Sequence, residues 1–315
     1  MRRWICASVD LDPVSAYLIR RGRAPAPAGS ADPVYTDCLE RFLELFAALS
    51  IPATFFSLGA PLAAACNAAG LIQAVRAGHE VGNHSNSHPN DLRLLDDGAL
   101  RAEIDLAEQA IVTQVGTRPV GFRAPGWNLD RRVLVHLAQR GYLYDSSLVP
   151  LPIKPSLALW KRLLGPRLPW PMLAGQLRWP RGPTAPYRLD LERPWRPGRG
   201  ALWEVPCGAA GLWPLPLNLS LHHLLGDGLA GILERLAPLT AQPLVLVMHG
   251  LDLAEDELLH ALALGKAGLD APLGLRRTRV RRFLEVLGRG RSWCSLRDLA
   301  VQRGAVGLVE SPRGR

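Results

Sequence analysis

From its first residues the chain alternates short apolar runs with stretches whose apolar residues recur at helical spacing. "WICASVDL" reads as a strand and "TDCLERFLELFAALS" as a helix. "IPATFFSLG" is a second strand followed by a helix, and "HEVGNH" is a third. Residues 97–114 are helical again, "PVGFRAPG" is a fourth strand, and "DRRVLVHLAQRG" is a helix closed by glycine. "YLYDSS" makes a fifth strand. Downstream come "LWEVPC", a helix around 219–237, "LVLVMHG", a further helix and "SWCSLRDLA". A strand that must return parallel to its predecessor needs a crossover, and a helix supplies it, so this alternation implies a parallel sheet or barrel. The rhythm breaks between about 148 and 199, in a Pro-, Trp- and Leu-rich insertion after the fifth strand. Irregular stretches of that length serve as lids or binding segments. One domain over 1–308 is expected, with a disordered tail at 309–315.

Composition narrows the function classes. The 315 residues are 48% apolar and 21% charged, enough for a sizeable core. The five cysteines are widely spaced and form no CxxC, which argues against a disulfide framework or a cysteine zinc site and for buried free thiols. The net charge of +9 comes mostly from scattered arginines. The exception, "LRRTRVRRF" at 275–283, reads as a solvated helix face. No nucleic-acid motif is present, and no apolar run is as long as a membrane span. The N-terminus meets an acid within ten residues and reads as a first strand, so a cytoplasmic location is expected.

The polar residues at the carboxyl ends of the strands form a set. Strand one ends in Asp10 and Asp12, strand three in His84 and His88, strand four in Arg123, strand five in Asp145, and "LVLVMHG" in His249. In barrel enzymes that face carries the catalytic groups, contributed by several strands. "HSNSHP" alone is ambiguous: a four-residue spacing aligns two imidazoles on a helix, but the segment also reads as a polar turn. Convergence of five strand ends favours a metal site, since two histidines and a carboxylate are a common catalytic zinc set. Bland readings exist for each group: Asp10 or Asp12 as a cap, Arg123 in a surface pair, Asp145 as a turn-former and His249 in the core. His79, His136, His222 and His223 read as structural, and Trp127 and Trp203 either line a groove or pack inside.

Five ordered segments, "SVDLD", "HSNSH", "FRAPG", "YDSS" and "LVLVMHG", resemble the NodB-type polysaccharide deacetylases, carbohydrate esterase family 4. The resemblance covers residues 4–147 and returns at 201–300. It implies an α/β fold, a distorted (β/α) barrel of about seven strands. It also implies a metal-dependent hydrolase that removes an N-acyl group, most often acetyl, from a glycan or lipid-linked sugar. By the same resemblance Asp12, His84 and His88 would hold a divalent metal, zinc first and cobalt or nickel next. Asp10 would be the general base, oriented and kept ionised by Arg123. His249 would be the general acid, with Asp145 raising its pKa. A backbone N–H near Gly126 would hold the developing oxyanion, with Trp127 beside the substrate. Two departures bear on substrate: leucine separates the two aspartates, and Gly126 stands where an aromatic residue is frequent. A small amide or formamide substrate, or an inactive carbohydrate-binding barrel, are the competing readings. Residues 156–173, with Trp160, Trp170, Lys161, Arg162 and Arg167, suggest either contact with the inner membrane surface or a lid.

Overall fold

The computed structural model describes residues 3–89, 91–149, 182–207, 209–210, 215–216, 219, 231, 235, 243–262 and 269–309. Eleven strands occur among them. The first five are β1 (Trp4–Leu11), β2 (Ala53–Ser57), β3 (Glu80–Asn83), β4 (Gly121–Phe122) and β5 (Tyr144–Asp145). Next come β6 (Tyr187–Arg188), β7 (Trp203–Glu204), the ribbon β8 (Ala209–Ala210) and β9 (Leu215–Pro216), then β10 (Leu244–His249) and β11 (Ser292–Trp293). The curled main sheet runs β10-β1-β2-β3-β4-β5-β7, all parallel. Antiparallel β6 closes one edge, and β11 adds to β1. That is the distorted barrel of about seven strands, open among the described residues between β10 and β6.

Register brings the strand ends to one level. Leu11, Ser57, Asn83, Phe122, Asp145 and Glu204 are successive partners across the sheet. Asp12, His84, Arg123 and Ser146, which follow four of these residues, therefore emerge at the same rim. β1 is central and buried along Ile5–Leu11, which explains its nearly continuous apolar sequence.

Helices cover the sheet. α1 (Val14–Ile19) leaves β1 directly. α2 (Leu39–Leu49) turns Leu39, Phe42, Leu45 and Phe46 inward and stops where Ser50 enters the left-handed region. Phe42 and Phe46 are fully buried, each worth about 1.5–3 kcal/mol. α3 (Ala65–Arg76) follows. α4 (Asp97–Val115) begins where Asp96 accepts from the N–H of Ala99 at 2.8 Å, and α5 (Arg131–Gln139) where Asp130 accepts from Arg132 N–H at 2.8 Å. These caps satisfy donors that have no partner inside the helix.

Several expectations change. The end of the 148–199 insertion is not irregular: Tyr187–Arg188 pairs with Trp203–Glu204 as an edge strand. Residues 150–181, with the 156–173 segment, and most of the helix around 219–237 lie outside the described residues. The final helix is described through Val309, and the rest of the expected tail, 310–315, lies outside the described residues. Cys6, Cys38, Cys207 and Cys294 are buried, but Cys66 is exposed. The arginine run at 275–283 is not wholly solvated, because Arg276 is fully buried. No helix among the described residues is long and apolar enough to cross a membrane.

Candidate active site

The segment after β3 brings His84 and His88 together without a helix. Ser85 and His88 both adopt positive φ, +73° and +60°, in a loop. Non-glycine residues pay roughly 1–3 kcal/mol each for such backbone, so surrounding bonds must impose it. Asn83 supplies one, accepting from Ser85 N–H at 2.8 Å while its amide donates to Tyr142 Oη and Ile104 O. Glu103 accepts from the N–H groups of Asn86 and Ser87. Ser85 Oγ accepts from His88 N–H at 3.2 Å. The four-residue spacing works here through a strained turn and not through a helical face.

Both Nε2 atoms lie 3.2 Å from Asp12 Oδ1. Neither contact has hydrogen-bond geometry, and Oδ1 is buried with no hydrogen-bond partner among the described residues. The three side chains are buried and present one ligand atom each, all within 4.8 Å of one another. Two tetrahedral ligands about 2.1 Å from one ion stand about 3.4 Å apart, so the trio fits a zinc-sized cation. His84 Nδ1 donates to Arg123 O at 2.7 Å, which leaves Nε2 facing Asp12 as the ligand atom. Burial opposes ionisation of Asp12, but the two imidazoles outweigh it and hold the carboxyl well below its usual range.

Asp10 sits beside this trio with a separate partner. Arg123 Nη1 donates to its Oδ1 at 2.6 Å, and both residues are buried. The guanidinium also donates to Ser8 Oγ at 3.0 Å, Ser146 O at 3.0 Å and Ser146 Oγ at 3.1 Å, with the Phe56 ring 4.2 Å away. A buried cation that donates from all three of its nitrogens is fixed in place, and it fixes Asp10. Burial works against the charged guanidinium, yet the Asp10 carboxylate carries its pKa above the ordinary value.

His249 is the Cα partner of Asp10. Its ring stands edge-on to Trp127 at 6.1 Å, and its N–H donates to Asp252 at 2.8 Å. Gly126 and Trp127 both take left-handed φ, +60° and +54°, which turns this tip toward the histidine.

Asp145 departs from its expected place. Its oxygens accept from Ser147 Oγ at 2.8 Å and Ser147 N–H at 3.1 Å, and its charged neighbour is Glu204, one strand over. The carboxylate next to the His249 backbone is Asp252 instead. Glu204 Oε1 accepts from Leu148 N–H at 2.9 Å, but Oε2 is buried with no hydrogen-bond partner among the described residues. Two carboxylates side by side in a fully buried place need a proton between them. Burial pushes Asp145 up to about 6, and burial together with Asp145 pushes Glu204 well above its usual range.

Two functional neighbours were missed from sequence. Glu204 lies in a two-residue strand with no motif around it. Arg276, hidden in an arginine run, donates to Asp252 O at 2.8 Å, to Ala271 O at 2.8 Å, to Ala254 O at 2.5 Å and to Asp256 at 2.8 Å. It therefore holds the loop that follows His249. The other histidines are structural as expected: His79 Nδ1 accepts from Ala53 N–H at 3.1 Å, and His136 pairs with Asp105 at 2.9 Å. His222 and His223 lie outside the described residues. Trp203 is buried, with the Arg188 guanidinium 5.1 Å from its ring centre.

Residues 29–144 match the family model for polysaccharide deacetylases, a span that holds His84, His88 and Arg123. Over 150 residues the chain is 29% identical to a peptidoglycan deacetylase of Helicobacter pylori, covering 46% of this chain and 49% of that protein. Over 97 residues it is 36% identical to a chitooligosaccharide deacetylase of Rhizobium leguminosarum bv. trifolii, covering 30% of this chain and 43% of that protein. The chain thus spans about half or less of these relatives. Two solved structures share the fold across nearly the whole chain. A candidate polysaccharide deacetylase from Mycobacterium smegmatis has a TM-score of 0.62 at 19% identity, covering 100% of this chain and 93% of that one. Puue allantoinase has 0.61 at 16%, covering 99% and 92%.

Proposed function

Because this chain belongs to the polysaccharide deacetylase family, we propose that it is a metal-dependent hydrolase removing an N-acyl group, acetyl in the first instance, from a glycan or lipid-linked sugar. The observation that carries this reading is the convergence of Asp12, His84 and His88 around a partnerless buried Asp12 oxygen, with the Asp10–Arg123 pair alongside. Those three residues would hold the ion, zinc or else cobalt or nickel. A divalent cation there supplies Lewis-acid chemistry that makes water a nucleophile near neutral pH.

This chain's own residues supply the rest. Asp10, aimed by Arg123, takes the proton of the attacking water as the oxygen adds to the acyl carbon. Backbone N–H at the Gly126 tip faces the oxyanion. When the C–N bond breaks, His249 gives a proton to the leaving nitrogen, on a loop that Asp252 and Arg276 hold still. Trp127 offers the sugar a flat edge beside that histidine. A cytoplasmic enzyme that meets its sugar on a lipid carrier at the inner leaflet is the setting we propose, and flotation with anionic liposomes tests it.

The activity test is a screen of the zinc-loaded protein against N-acetylated oligosaccharides, lipid-linked sugars, small amides and formamides. Acetate released from a sugar is the expected result. Ammonia or formate from small amides alone would overturn the substrate class. Tight sugar binding with no hydrolysis would make the protein a binding barrel.

A further inference from the structure

We propose that Arg20 is the residue through which this site recognises a negatively charged group, carboxylate or phosphate, on its N-acyl sugar. The proposal rests on the reading above and names the charge class of its substrate. Arg20 follows α1, the short helix that leaves the strand end bearing Asp10 and Asp12. It is exposed, yet its terminal nitrogen reaches 2.9 Å from Nδ1 and 3.1 Å from Nε2 of the buried His88. The guanidinium thus stands at the mouth of the ligand trio.

That position is prepared from both sides. Arg21 and Arg23, the next two arginines, donate to the carbonyls of Leu262 and Ala261 in helix Asp256–Leu262. These two contacts tie the backbone that carries Arg20 to that helix. The Tyr17 ring, 5.8 Å from the guanidinium carbon, gives it a face to rest on.

Its partners do not match its charge. Asp10 is matched by Arg123, Asp12 faces the two imidazoles, and Asp252 accepts from His249 N–H. Among the described residues no carboxylate pairs with Arg20. An imidazole nitrogen that serves as a metal ligand has no lone pair left for a guanidinium, and two cations at such a separation repel. With the ion bound, Arg20 must leave Nε2 while its backbone stays clamped at the rim. The pocket then holds surplus positive charge: a divalent cation outweighs Asp12, and Arg20 adds to it. Arginine's planar fork takes a carboxylate or phosphate by two parallel hydrogen bonds, so the fitting occupant is an anionic substituent of the substrate itself.

The test is calorimetric titration of zinc-loaded wild type and R20A with N-acetylmuramic acid, N-acetylglucosamine 1-phosphate and neutral chitotriose. Wild type should prefer at least one anionic ligand by about tenfold or more, and which one it prefers separates carboxylate from phosphate. R20A should lose that preference while chitotriose binding is unchanged, and R20K should retain part of it. Chelator competition should show zinc held at least as tightly in R20A, because a repelling cation has gone. No anionic preference in wild type, or one that survives in R20A, overturns the proposal. So does loss of zinc in R20A, which would make Arg20 a support for His88. These binding readouts stand apart from turnover, so a protein that releases no acetate would refute the catalytic reading and leave the assignment of Arg20 to be judged on its own.

Discussion

Two buried carboxylate sites lie at the same rim of one sheet and are neutralised in opposite ways. Asp10 has a guanidinium at 2.6 Å, itself held by Ser8 and Ser146. Asp145 has another acid, Glu204, as its neighbour, so a proton must do what Arg123 does for Asp10. The same side-chain chemistry is thereby divided between a carboxyl paired with a cation and a pair of carboxyls that share a proton. The contrast shows that environment, and not residue type, assigns the duty. The two sites also communicate: Ser146 and Ser147, next to Asp145, hold the Arg123 guanidinium and the Ala124 N–H. The acid pair therefore braces the arginine that is paired with Asp10.

The largest effect expected from breaking this contrast is at the cation. Arg123→Ala leaves the Asp10 charge buried without its counterion and should cost about 3–5 kcal/mol. Urea denaturation should show that loss, and turnover should vanish. A mutant as stable as wild type would mean that Asp10 is solvated and that the pairing is incidental.

The next effect separates the sites by pH. The folded acid pair keeps protons that the unfolded carboxyls release above about pH 4. Its contribution is full below that pH and is lost as the pH rises through the folded values, about 6 for Asp145 and well above the usual range for Glu204. Glu204→Gln keeps a donor in place at every pH. Wild type should therefore lose stability relative to E204Q as the pH rises from about 4 upward, by at most about 1.4 kcal/mol per unit for each retained proton. Parallel pH profiles would show that no proton is shared.

A smaller effect is expected at the rim. Trp127→Leu removes the edge-on contact to His249, worth about 1 kcal/mol. Turnover should fall less than about tenfold, with zinc content unchanged. Loss of the metal would place Trp127 among the supports of the ligand trio.

The fold was legible because parallel strands buried on both faces must be nearly continuous apolar runs, as in "WICASVDL" and "LVLVMHG", and because the helices between them carry the other period. The positions of Asp10, Asp12, His84 and Arg123 were legible because each lies at or just past the end of a strand, with His88 four residues beyond His84. Asp145 was placed at the right rim and with the wrong neighbour. Its side chain belongs to the β5–β7 pairing, and β7 lies beyond a long insertion that hides register. Glu204 and Arg276 left no trace for the same kind of reason: a two-residue strand has no periodicity, and one buried arginine among exposed ones looks like them. The turn at 84–88 was hidden too, since a spacing of four carries no sign that Ser85 and His88 adopt left-handed backbone.

The most direct measurement is zinc occupancy and turnover compared in Asp10→Asn and Asp12→Ala. Asp10 is tied to Arg123 and Asp12 faces the imidazoles, so the two variants should fail differently. Asp10→Asn should keep its zinc and lose turnover by roughly a hundredfold or more, because the amide accepts no proton from water. Asp12→Ala should bind zinc more weakly and recover part of its rate when metal is added. If Asp10→Asn sheds zinc while Asp12→Ala keeps it, the two aspartates have the reverse duties and the ligand trio is wrong.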